Sequence, residues 1–99
     1  MNILIGDIGN TTTKICLIEK ANFKIKKIYF FHSKSLNSKK FLDTEFKNIF
    51  KNKKIHKISL ISSVVPKYKI ILKNFLIKKY KIQLREIKEK GINKIVKIN

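Results

Sequence analysis

The sequence predicts an α/β domain on a mixed sheet of about five strands, in the order β-β-β-α-β-α-β. Three observations carry this. Two strand-like runs at the N-terminus are broken by Gly9-Asn10, a hairpin signal. Lys57 to Val64 carries no charge after Lys57, only apolar residues and small serines, which suits a central strand paired in parallel. Two stretches of helical spacing flank that run, one on each side in sequence.

Taken in order, the apolar run from Ile3 drives into Asp7 as a buried strand, and Thr13 to Glu19 alternates as a second. Gly9 and Asn10 between them are expected to supply one or two residues with φ > 0. Ala21-Asn22 is a connector, and Ile25 to His32 is a third strand with Ile28 and Phe30 on one side and Lys27, Tyr29 and Phe31 on the other. His32 precedes a polar Ser-Lys-Ser segment and receives no role. Asn37 or Ser38 caps the first helix, in which Phe41, Leu42, Phe46, Ile49 and Phe50 form the apolar stripe. Asp43 and Glu45 are expected near its start, where the dipole favours acids; they form a candidate carboxylate pair or, more simply, a solvated face.

His56 stands at the break before the fourth strand with no evident partner, and Pro66 suits the first turn of the second helix. Tyr68, Ile71, Leu72, Phe75, Leu76 and Tyr80 make that helix's buried stripe, with Lys67, Lys69, Lys73 and Lys78 to solvent. Ile82, Leu84 and Ile87 alternate as a fifth strand, Gly91 breaks the pattern, and Ile92 to Ile98 suggests a short sixth.

A chain of 99 residues is read as a single domain, residues 1-99, able to bury a modest core without staples. The lone Cys16 excludes an internal disulfide; set mid-strand among apolar residues, it reads as a small buried side chain. No signal peptide or membrane span is evident, so a cytoplasmic location without membrane contact is expected. The net charge is +18, with Arg85 the single arginine among 24 basic residues. Such a surface attracts phosphates, and nucleic acid is a conceivable partner. The lysines are scattered rather than striped, however, and a compositional bias toward Lys, Ile and Asn accounts for them as well.

The chemistry concentrates in Asp7-Ile8-Gly9-Asn10-Thr11-Thr12-Thr13-Lys14. A tight turn at Gly9 lets backbone N–H groups converge, and the hydroxyls of Thr11, Thr12 and Thr13 add short donors suited to a phosphate chain. The Asp7 carboxylate would repel phosphate but can hold Mg²⁺ through water beside it; Lys14 adds positive charge. The same residues also suit an ordinary hairpin whose Asp and Asn only shape the turn.

Asp7-Ile8-Gly9-Asn10-Thr11 resembles the first phosphate motif of the actin, sugar-kinase and heat-shock ATPase superfamily, and more narrowly the opening of type III pantothenate kinases. Ile61-Ser62-Ser63-Val64-Val65-Pro66, about fifty residues on, resembles a second landmark of that family. The resemblance implies a ribonuclease-H-like lobe and ATP-dependent phosphorylation of pantothenate toward coenzyme A. It implies ATP bound by Asp7 to Lys14, with Ile8 contributing backbone only, Mg²⁺ at Asp7, and K⁺ or NH₄⁺. It further implies Ser62 to Pro66 at the cleft floor and pairing of two copies.

The departures are informative. The family's chains are more than twice this length, and the Gly-x-Asp-Arg general base and the Asp-x-Gly-Thr loop of the second lobe do not occur in this sequence. Lys14 replaces a more usual apolar residue. The chain is therefore expected to be a first lobe, truncated or split, inactive by itself and completed by a C-terminal lobe in trans if at all. A non-catalytic nucleotide-binding regulator of the same family and a small basic nucleic-acid-binding module are the alternatives.

Overall fold

The computed structural model describes residues 1–87; the expected sixth strand at Ile92 to Ile98 lies outside the described residues. The elements are β1 (Asn2–Ile8), β2 (Thr12–Glu19), β3 (Ile25–His32), a 3₁₀ helix (Ser33–Asn37), α1 (Lys39–Phe50), β4 (Ile58–Ser63), α2 (Pro66–Tyr80) and β5 (Gln83–Glu86). They form a five-stranded sheet ordered β3-β2-β1-β4-β5. β1–β2 and β2–β3 are antiparallel, whereas β1–β4 and β4–β5 are parallel. β4 is thus an inner strand with parallel neighbours on both sides, as expected.

One face of the sheet carries both helices. Leu4, Ile8, Ile15, Leu17 and Ile61 meet Leu42, Phe46 and Ile49 of α1 and Leu72 and Leu76 of α2 in one core. Tyr29 and Phe31 of β3 pack against it, leaving Phe30 66% exposed on the other face. Local chemistry sets the helix starts. The Ser38 hydroxyl accepts from the Phe41 N–H at 3.1 Å, satisfying a free donor of the first turn. Pro66 occupies the first turn of α2, where its missing N–H has no consequence.

The polar Ser-Lys-Ser segment opens the 3₁₀ helix, with Ser33 and Leu36 buried. Three local expectations are corrected. No acid falls in the first turn of α1; Asp43 lies further along, ion-paired with Lys79 at 2.7 Å. Lys69 is half-buried and paired with Glu86 rather than free in solvent. His56 has a partner, for its Nδ1 accepts from the Ile58 N–H two residues on. Backbone strain also falls where composition does not mark it: φ is positive at Phe23, Asn52 and Lys81.

Candidate functional site

β1 sits where the chain changes direction. From β1 it turns to β2 and β3 on one side, then crosses through α1 to β4 on the other. In open sheets of this kind, ligands gather at the carboxyl ends of the strands flanking that switch. The two sequence motifs meet there. Asp7 is opposite Lys14 of β2 and opposite Ser62 of β4, and Ile8 is opposite Thr13 and Ser63. Beyond β4, Val64 N–H donates to the Ile8 carbonyl at 3.1 Å. The Ser63 hydroxyl accepts from Val65 N–H at 3.0 Å and donates to Val65 O at 2.9 Å, turning the chain into α2.

The β1–β2 loop departs from the expected hairpin geometry, since neither Gly9 nor Asn10 has a positive φ. Gly9 is needed for close approach instead. Its N–H donates to the Thr12 carbonyl at 3.0 Å, and a Cβ there would stand 3.0 Å from that oxygen. The Gly9 N–H is therefore engaged within the loop. Asn10, Thr11 and Thr12 are exposed, and the N–H groups of Asn10 and Thr11 have no backbone acceptor among the described residues. Two free amides and the Thr11 and Thr12 hydroxyls are the donor set at the tip.

Thr13 is completely buried, and its hydroxyl lies 2.8 Å from that of Ser33 rather than at the exposed tip. Ile8 is likewise fully buried. Ser33 was not legible as a site residue. It sits in a short polar segment, and its hydrogen bond to the Gly9 carbonyl spans 24 residues, beyond any local pattern.

On the face opposite α1 and α2, Asp7 and Lys14 are half-buried cross-strand neighbours around Cys16. Burial pushes the Cys16 thiol up, with the Lys14 ammonium pulling it down and the Asp7 carboxylate pushing it up further. The ion pairs among the described residues involve neither Asp7 nor Lys14. Nor do these residues contain a cluster of three or more metal-ligating side chains. A single carboxylate fits Mg²⁺, which commonly takes one or two carboxylates and fills its shell with water and substrate phosphates. It does not fit a cation that needs an all-protein cage. The groove between α1 and α2, lined by Leu42, Asp43, Ile71, Phe75 and Lys79, shares no residue with this site.

The mixed sheet of this order, with α1 and α2 on one face, is an α/β fold shared with a solved kinase structure. A crystal structure from Cytophaga hutchinsonii, described as a sugar kinase, shares the fold at a TM-score of 0.61 and 18% identity; the match covers 89% of this chain and 36% of that one. The chain belongs to the type III pantothenate kinase family, whose model matches residues 3–99. A type III pantothenate kinase of Pelagibacter ubique (strain HTCC1062) is 42% identical over 96 residues, or 97% of this chain. The chain spans 38% of that relative's length.

Proposed function

We propose that residues 1–99 are the N-terminal, phosphate-binding lobe of an ATP-dependent pantothenate kinase, inactive without a second lobe. One observation carries this: the free amides and hydroxyls of the Asn10–Thr12 tip share the carboxyl end of β1 with Ser62 to Val64 and with Asp7, which is in no ion pair among the described residues. Donors there attract the phosphate oxygens, and Lys14 adds charge beside them. Asp7 would hold Mg²⁺ through water, and the ion would neutralise charge on the phosphates during transfer. Ile8 contributes backbone to the loop, and Thr13 supports it from beneath.

The lobe by itself brings ATP but no general base to the acceptor alcohol, and phosphoryl transfer requires both to be positioned together. In the complete enzyme, pantothenate is the acceptor and a second lobe, in the same polypeptide or in trans, supplies the base. A cytoplasmic location, a K⁺ or NH₄⁺ requirement and pairing of two copies belong to the same reading.

The test is a titration of the chain with Mg·ATP followed by backbone amide resonances. Saturable shifts are expected at residues 7–14 and 62–64. Shifts confined to the lysines of α1 and α2 would contradict the reading. So would a response to nucleic acid at physiological salt with none to Mg·ATP.

A further inference from the structure

Two anchors of the loop converge on one residue outside it. Ser33 N–H donates to the Thr11 carbonyl at 2.8 Å, and the Ser33 hydroxyl donates to the Gly9 carbonyl at 2.7 Å. Since that single hydroxyl proton goes to Gly9, the 2.8 Å contact with Thr13 must use the Thr13 proton. The result is a directed chain from Thr13 O–H to Ser33 O–H to the Gly9 carbonyl. Each link polarises the next.

The consequence is electrostatic. An anion site fails if carbonyl oxygens point into it, and Ser33 holds two of the loop's carbonyls on its own side. No described peptide bond is cis. In a planar trans peptide the C=O and N–H point in opposite directions. Fixing the Gly9 carbonyl on Ser33 therefore turns the Asn10 N–H the other way. Ser33 itself cannot drift, because it is fully buried and opens a 3₁₀ helix whose Leu36 is fully buried in the helix-side core.

We propose that Ser33 is the positioning residue of this loop, withdrawing the Gly9 and Thr11 carbonyls so that the tip presents N–H groups to an anionic ligand. The ligand part rests on the phosphate-binding reading above; the loop geometry does not.

The experiment compares Ser33→Ala, Ser33→Thr and Ser59→Ala with the unaltered chain. Ser59 is a fully buried serine bonded at 3.4 Å to Gln83 O, away from the loop, and controls for the generic loss of a buried hydroxyl. Two quantities are read: hydrogen exchange of the Gly9 amide, and the dissociation constant for Mg·ATP. Ser33→Ala is expected to raise both by about tenfold or more, the scale of one lost hydrogen bond. Ser33→Thr, which keeps the hydroxyl, should restore both, and Ser59→Ala should leave both unchanged. Unchanged Gly9 exchange in Ser33→Ala, or an equal rise in Ser59→Ala, would overturn the proposal. Faster exchange at unchanged affinity would overturn its ligand half. If the unaltered chain shows no saturable Mg·ATP response, the functional reading fails, while exchange still decides whether Ser33 holds the loop.

Discussion

The two faces of the sheet are built from alternate residues of the same strands, yet they do different work. The helix-side face is closed: Leu4, Ile8, Ile15 and Leu17 are at most 1% exposed, and Phe46 joins Phe50 and Phe75 at ring separations of 5.6 Å. The opposite face has a small apolar patch of Ile5, Cys16 and Ile18, then Asp7 and Lys14 at its upper end, and an exposed Phe30 at its β3 side. Burying a large apolar side chain contributes about 1.5–3 kcal/mol, so the first face supplies most of the stability. The second is free to carry half-buried charge. The pleat thus separates the packed face from Asp7 and Lys14, and substitution of those two is expected to leave the fold intact.

This contrast can be broken by substitution. Phe46→Ala should have the largest effect, a loss of about 3–5 kcal/mol in chemical denaturation, because the fully buried ring leaves a cavity. Phe30→Ser, on the other face of the sheet, should stay within about 0.5 kcal/mol. A comparable loss at Phe30 would mean that the second face is a core as well.

Cys16 sharpens the comparison, being 1% exposed on the face that bears the charges. Its thiol is raised by burial, so the folded state favours the protonated form. That share of stability is fully present below the unfolded thiol's pKa and is lost as pH rises through the folded one. Reaction with a thiol reagent at neutral pH should accordingly be slow in the native lobe and fast in urea. Equal rates would show that the patch around Cys16 is open.

Much of the architecture was legible because local chemistry and tertiary packing agree. The alternation of Ile25 to His32 separates a packed Tyr29 and Phe31 from an exposed Phe30, and the Ser38 cap and Pro66 mark helix starts. The loop was legible as a place but not as a conformation. Gly9 matters for its closeness to Thr12 rather than for its φ, and Thr13 is buried because its pairing with Ile8 puts both on the helix-side face. Ser33 was invisible, since its partners Thr13 and Gly9 lie 20 and 24 residues away and hydrogen bonds of that span leave no periodic trace.

The most direct measurement pairs Mg·ATP affinity with thermal unfolding for the unaltered chain and Asp7→Ala. If the chemistry resides on the second face, affinity falls by about tenfold or more, about 1.4 kcal/mol, while the melting temperature stays unchanged. Unchanged affinity, or a loss of affinity that merely follows a collapse in melting temperature, would contradict the account.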